Sequence, residues 1–94
     1  MLIHTVEFES ALTFEEVTKV AKDRKPDYEA VPGLIQKYYV KTDKPNRYQG
    51  VMIWDTPAAL QAFRETNLAS TVGPSYAVVG APQVNVSEVM FPLR

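Results

Sequence analysis

The sequence has 94 residues, of which 46% are hydrophobic and 11% aromatic, with ten basic and eleven acidic side chains. This length predicts one small domain, residues 1–94, whose thin core would gain from association with a second copy. A net charge of −1 without a basic run disfavours nucleic acid and anionic membranes as partners. The lack of cysteine excludes disulfides, thiolate metal sites and thiol catalysis.

No targeting or membrane segment is recognisable in the sequence. The first residues, MLIHTVEFESA, have no basic leader before a long apolar run, as a secretory signal does. No apolar segment reaches the ~18 residues of a membrane span. We therefore expect a soluble, cytoplasmic protein.

A strand and a helix open the chain. The alternation of Leu2–Phe8 predicts a strand, and Thr13 with Glu16 forms a T-x-x-E capping box at the start of a helix. Pro26 lacks a backbone N–H and clashes with the preceding turn. The helix is therefore expected to end or kink around residue 24 or 25.

Two adjacent strands form the centre of the sequence. They are predicted at Gly33–Thr42 and Arg47–Asp55, joined by a polar turn over residues 43–46 that contains proline and asparagine. Both strands are rich in aromatic and β-branched residues on both alternating faces. That pattern favours a sheet that is covered on both sides.

The second half repeats the order helix, then strand. Thr56-Pro57 is a typical helix start, with Thr at the N-cap and Pro at the first helical position. A short helical turn within Leu68–Tyr76, interrupted by Gly73-Pro74, and a loop around residues 80–82 are expected next. The final strand is predicted at Gln83–Phe91.

The order βαββαβ predicts an α+β, ferredoxin-like domain with a four-stranded antiparallel sheet and both helices on one face. The other face would be bare and apolar, so we expect a C2 homodimer in which two such faces form a shared α/β barrel. Val51 and Ile53 are the better candidates for the helix-covered face. Met52 and Trp54 would then point into the dimer barrel.

Several segments form a pattern that covers almost the whole chain. They are Val31-Pro32-Gly33-Leu34, Gln36-Lys37-Tyr38-Tyr39, Gly50-Val51-Met52-Ile53-Trp54, Ala59-Leu60, Ala62-Phe63-Arg64 and Phe91-Pro92-Leu93-Arg94. With this pattern the sequence resembles the YdhR-like branch of the dimeric α/β-barrel proteins related to antibiotic-biosynthesis monooxygenases. The resemblance lies in apolar and turn residues, so it is specific for fold more than for reaction.

The resemblance implies a range of activities. The wider family includes cofactor-independent oxygenases of polycyclic aromatic or quinol-like substrates, haem-degrading enzymes and members without known activity. Haem-degrading relatives pair a strand-three Trp with an Asn on strand one and a His on helix two. This sequence has Trp54 at the matching place, but its only histidine is His4. Haem degradation by that arrangement is therefore not expected, and no cofactor is predicted.

Four residues are predicted to line the substrate cavity. Trp54 resembles the cavity tryptophan of the family, although a Trp at the centre of a sheet is also an ordinary packing residue. Met52 and Tyr48 alternate onto the same face as Trp54 and would complete an apolar wall for a flat aromatic ligand. Tyr38 can donate a hydrogen bond to a ligand oxygen, or it can simply fill the core.

Two residues are candidates for proton transfer. Lys37 lies among apolar residues in mid-strand, where a charge is costly to bury unpaired, and Glu7 or Glu88 could supply a counter-charge. The alternative is a solvated lysine at a sheet edge. His4 has a suitable ordinary pKa for a general base, but a lone histidine among apolar residues is more often a packed one. One histidine and no cysteine predict no metal site.

Three functions are compatible with these residues. The first is a cofactor-free monooxygenase, or a related small-molecule enzyme, acting on an aromatic or quinol-like substrate. The second is a non-catalytic or stress-related dimeric barrel that binds a small apolar or aromatic molecule. The third is a structural dimer whose cavity is filled by its own side chains.

Overall fold

In a computed structural model that describes residues 1–94, the chain forms four strands and four helices. Their bounds are β1 Leu2–Ser10, α1 Phe14–Glu29, β2 Leu34–Lys41, β3 Arg47–Trp54, α2 Pro57–Arg64, α3 Asn67–Ser70, α4 Val72–Ser75 and β4 Val78–Glu88. The strands form one sheet in the order β2-β3-β1-β4, and every neighbouring pair is antiparallel. The predicted ferredoxin-like α+β fold is thereby confirmed.

Helix α1 begins as predicted but does not end as predicted. Thr13 Oγ1 accepts a hydrogen bond from Glu16 N at 3.2 Å, and Glu16 Oε1 accepts one from Thr13 N at 3.0 Å. The helix continues through Pro26 to Glu29, so an end near residue 24 or 25 is wrong, whereas the alternative of a kink there stays a prediction. Pro26 is exposed, and the turn beyond it brings Tyr28 into the core. Tertiary packing of Tyr28 offsets the local cost of the proline.

The last strand begins five residues earlier than predicted, at Val78, and ends at Glu88 rather than Phe91. The predicted loop around residues 80–82 is instead a bulge: Glu9 pairs with Val79 and Glu7 with Gln83, so three β4 residues oppose one β1 residue. Gly80 supplies the positive φ of 71° that the bulge requires. Pro82 is tolerated because β4 is an edge strand.

The segment after α2 forms two short helices. Gly73 and Pro74 lie within α4 rather than interrupting a helix, which corrects the prediction. Pro74 lies in the first turn of α4, where its missing N–H would have no intrahelical partner in any case. Helix α2 begins as predicted, with Thr56 Oγ1 accepting a hydrogen bond from Ala59 N at 3.1 Å.

The two faces of the sheet are the reverse of the predicted arrangement. Trp54 is 0% exposed, and its ring centroid lies 5.1 Å from that of Phe63 on α2. Met52 belongs to the same buried cluster, whereas Ile53 and Val51 alternate onto the bare face. The large side chains of β3 therefore pack against the helices. The prediction that Met52 and Trp54 point away from the helices is therefore wrong.

The core consists of two clusters on the helix-covered face. The first contains Tyr28, Met52, Trp54, Leu60 and Phe63, and the second contains Phe8, Val17, Tyr48 and Tyr76. No helix combines the length and the hydropathy needed to cross a membrane.

Candidate functional site

A cavity of about 890 Å³ lies between the helices and the helix-covered face of the sheet, next to both core clusters. Side chains from all four strands and from α1, α2, α3 and α4 line it, and most of them are apolar or aromatic. A volume of this size falls within the range of pockets that enclose small organic ligands. This cavity therefore lies within one copy of the chain.

Four of the six predicted site residues line this cavity: His4, Lys37, Tyr48 and Met52. Strand register explains why they meet, because His4 pairs with Met52 across β1 and β3, and Met52 pairs with Lys37 across β3 and β2. Trp54 lies beside them in the core but is fully enclosed.

Tyr38 lies on the other face of the sheet. Its side chain is 56% exposed, and it pairs with Val51 across β2 and β3. A residue that alternates away from Lys37 cannot hydrogen-bond a ligand inside the cavity. The prediction of Tyr38 as a ligand-binding residue therefore does not fit this cavity, and the prediction that it fills the core does not fit either.

The amine of Lys37 is held between two aromatic rings. Its Nζ lies 3.3 Å from the centroid of the Tyr28 ring and 4.7 Å from that of Tyr39, and it makes no ion pair. Glu7 does not supply the expected counter-charge for Lys37, because it pairs with Arg47 at 3.0 Å. Glu88 makes no salt bridge with Lys37 either, so both predicted partners are wrong.

Burial, and secondly the positive charge of Arg24, lower the pKa of Lys37 to about 7. The neutral form of the Lys37 amine is therefore accessible near physiological pH, where an ordinary lysine is almost fully protonated. Gly50 lies beside this side chain, and a Cβ there would be 3.6 Å from Lys37 Cε, an ordinary contact distance. A neutral amine in an apolar cavity can act as a general base.

His4 is held by the core tryptophan. Trp54 Nε1 donates a hydrogen bond to His4 Nδ1 at 3.3 Å, which assigns the imidazole proton to Nε2. Burial, followed by the charges of Arg64 and Lys37, lowers the pKa of His4 to about 4. The imidazole is therefore neutral near pH 7 and a weak base.

The second nitrogen of His4 keeps access to the cavity. His4 Nε2 makes no hydrogen bond within the chain. It is also not fully enclosed, because Arg24 Nε is the only fully enclosed side-chain nitrogen or oxygen that lacks a hydrogen bond. The N–H at His4 Nε2 can thus donate a hydrogen bond to a ligand oxygen. In this geometry His4 is better suited to a donor role than to the predicted role of a base.

Sequence reasoning missed Arg24, which joins α1 to the short helices over the cavity. Its guanidinium donates hydrogen bonds to Thr71 Oγ1 at 3.1 Å, Ser75 Oγ at 2.7 Å and the Leu68 carbonyl at 2.7 Å. It also missed Tyr28, whose ring centroid lies 3.3 Å from the Lys37 amine. The helical spacing of Val17, Ala21 and Tyr28 indicates that Tyr28 shares the buried face of α1. This signal was overlooked because Pro26 suggested that the helix ends before Tyr28.

The comparisons with known proteins concern the fold. The sequence matches no family model and no curated protein. Among solved structures, SnoaB, a cofactor-independent oxygenase from Streptomyces nogalater, is similar with a TM-score of 0.79 and 14% identity, over 98% of this chain and 95% of that one.

Two further solved structures are similar in the same way. An antibiotic biosynthesis monooxygenase has a TM-score of 0.73 and 14% identity, over 96% of this chain and 99% of that one. A protein of unknown function from Nitrosomonas europaea has a TM-score of 0.78 and 16% identity, over 97% and 90% of the two chains. At these identities the likeness shows a shared fold: the chain has the ferredoxin-like fold of antibiotic-biosynthesis-monooxygenase-like proteins.

Proposed function

We propose that the protein is a cofactor-independent monooxygenase of the YdhR-like type that oxidises an aromatic, quinol-like substrate. The observation that carries this proposal is the unpaired Lys37 amine, whose pKa is about 7, in an apolar cavity of ligand size. The shared fold with SnoaB and the sequence resemblance support the same reaction class.

In this proposal Lys37 acts as the general base. A phenol or an anthrone-type ring system becomes a strong electron donor once it loses a proton, and its carbanion can reduce O2 directly. Oxidation of an activated CH2 group to a carbonyl then balances: CH2 and O2 give C=O and H2O. The protonated Lys37 amine returns its proton to the reduced oxygen when water leaves.

Two further groups would assist this step. The N–H at His4 Nε2 can donate to the substrate oxygen on which negative charge develops after deprotonation. Met52 and Tyr48 line the cavity beside it and would hold the aromatic rings against the sheet. Their apolar surface also excludes water from the carbanion.

Oxygen consumption with a panel of anthrones and hydroquinones, without added flavin or metal, tests the proposal. We expect consumption by the wild type, and loss of ~10²–10⁴-fold in kcat/KM for Lys37→Gln, which removes the base. Lys44→Gln, in the β2–β3 turn, is the matched control and should retain full activity. Binding of these compounds without oxygen consumption would favour the alternative, a non-catalytic binding protein.

Homodimerisation through the bare sheet face is part of this proposal. Ile3 and Tyr38 on that face are 38% and 56% exposed, beside the half-buried Val51 and Ile53. An apolar face of a sheet is normally covered by another layer. A cytoplasmic location is likewise proposed, and fractionation of the source cells tests it.

A further inference from the structure

Lys37 carries the one lysine amine that the fold withdraws from solvent. Every other lysine of the chain is exposed, whereas the Lys37 side chain is half-buried beside Tyr28 of α1. Its Nζ makes no ion pair, and the only side-chain hydrogen bond of this residue is formed by its backbone N–H. When such an amine is unprotonated, its lone pair is free to react.

The Lys37 amine is open to two cavities. Arg24 Nε is the only fully enclosed side-chain nitrogen or oxygen that lacks a hydrogen bond, so the unpartnered Lys37 Nζ is not sealed in the core. Besides the cavity of about 890 Å³, a smaller pocket of about 240 Å³ lies between the end of α1 and β2. Lys37, Tyr28 and Tyr39 line both of them. A small molecule in either cavity therefore reaches the same side chain.

The rings beside the amine can stabilise a cation without a carboxylate. The centroids of Tyr28 and Tyr39 lie 3.3 Å and 4.7 Å from Lys37 Nζ, and the face of an aromatic ring attracts positive charge. A protonated imine formed at Nζ would carry its charge at the place that the ammonium group occupies. The rings would therefore stabilise it in the same way.

The charges around the amine favour its neutral, nucleophilic form. No aspartate or glutamate lines the larger cavity, and Glu29, which lines the smaller one, pairs with Lys25 at 3.1 Å. Burial and the Arg24 charge lower the pKa of Lys37 to about 7. A lysine desolvated in an apolar pocket is an activated nucleophile towards carbonyl groups.

We propose that Lys37 binds apolar aldehydes covalently, as a Schiff base whose hydrocarbon chain lies in the larger cavity. The lone pair of Nζ forms a bond to the carbonyl carbon, and the oxygen takes up a proton. The C–O bond then breaks, water leaves, and a C=N double bond remains after Nζ has lost both of its protons. Amine and aldehyde thus give imine and water, so no oxidant or reductant is consumed. The reaction uses the amine of the proposed oxygenation but needs neither oxygen nor an oxidisable ring.

Reductive trapping with hexanal and sodium cyanoborohydride at pH 7 tests this assignment. Cyanoborohydride reduces an imine to a stable secondary amine, so each Schiff base becomes a permanent hexyl group that peptide mapping by mass spectrometry locates. We expect Lys37 to be alkylated at least ~10-fold faster than any exposed lysine, because an ordinary lysine is almost fully protonated at this pH. The α-amine of Met1, which also titrates near neutrality, is the competing nucleophile in solvent.

A polar aldehyde and two variants are the controls. Glyceraldehyde should modify the Met1 amine without preference for Lys37, because a polar molecule gains little from an apolar cavity. Lys37→Met should abolish the fast addition of hexanal, and Lys44→Met, in the exposed β2–β3 turn, should retain it. The trapping should proceed equally under nitrogen, so its outcome is independent of the monooxygenase proposal.

Three results would overturn the assignment. They are hexyl groups spread evenly over the exposed lysines, a hexyl group on the Met1 amine alone, and a preference for Lys37 that is as strong with glyceraldehyde as with hexanal.

Discussion

At the scale of single residues, Lys37 is the proposed general base, and its burial also makes the stability depend on pH. The pKa of Lys37 is about 7 in the folded chain and near its ordinary value in the unfolded chain. At any pH between these two pKa values, the unfolded state therefore binds more protons than the folded state. The stability of the wild type should therefore rise as the pH increases from about 7 towards 10. The penalty of the buried charge is fully present below pH 7.

Lys37→Met should remove this penalty. We expect the variant to be more stable than the wild type at pH 6, by ~1–4 kcal/mol, because an apolar side chain of similar size replaces a buried charge without a partner. Urea denaturation at pH 6 and pH 9 measures the difference, which should shrink at the higher pH. A difference that is independent of pH would show that the Lys37 amine is solvated in the folded state.

The hydrogen bond between Trp54 and His4 should fix the imidazole tautomer. Trp54→Phe keeps an aromatic ring in the core but removes the donor to His4 Nδ1, and leaving that acceptor unpaired should cost ~1–3 kcal/mol. Because the chain has one histidine, nitrogen NMR reports the tautomer without ambiguity. We expect the proton at Nε2 in the wild type and a mixture in the variant, and an Nδ1 proton in the wild type would contradict the assignment.

At the scale of elements, the turn before β2 depends on a glycine. Gly33 has a φ of 80°, and a Cβ at this position would overlap the side chain of Ala59 on α2. Gly33→Ala should therefore destabilise the fold by ~1–3 kcal/mol through strain alone, and by more through the clash. Gly73→Ala is the control, because a Cβ there meets nothing within 4 Å. Equal stabilities of the two variants in urea would contradict this explanation.

The sequence predicted the helices and strands better than it predicted which face of the sheet the helices cover, for physical reasons. The helix starts at Thr13 and Thr56 follow from local hydrogen bonds, so local sequence determines them. The side of the sheet that the helices cover does not follow from alternation, because both faces of β3 are apolar. Tertiary contacts such as that between Trp54 and Phe63 reveal it.

The site was partly predictable for the same reason. Lys37 and His4 stood out as polar residues in apolar strands, and strand register brings both to the cavity. It was not predictable that Lys37 has no counter-charge, because this depends on the pairing of Glu7 with Arg47 on the other face of the sheet. Likewise, the bulge at Gly80 and the helix through Pro26 are tertiary outcomes that override local signals.

At the scale of the whole molecule, the bare sheet face predicts a dimer. We expect the wild type to be dimeric at micromolar concentration, because Ile3, Tyr38 and Ile53 would otherwise leave an apolar face in water. Ile53→Glu places a charge on this face and should give a folded monomer by light scattering and circular dichroism. Lys44→Glu, outside the face, should remain dimeric, and a monomeric wild type would disprove the assembly.

The central claim is that the Lys37 amine is the base of a cofactor-free oxygenation. The pH dependence of kcat/KM for oxygen consumption tests it most directly, since it reports the pKa of the free enzyme's essential base. For the wild type we predict a rise through an apparent pKa of about 7 and a plateau above it. Lys37→Gln should lose this rise together with most of the activity. An unchanged profile in Lys37→Gln would contradict the account.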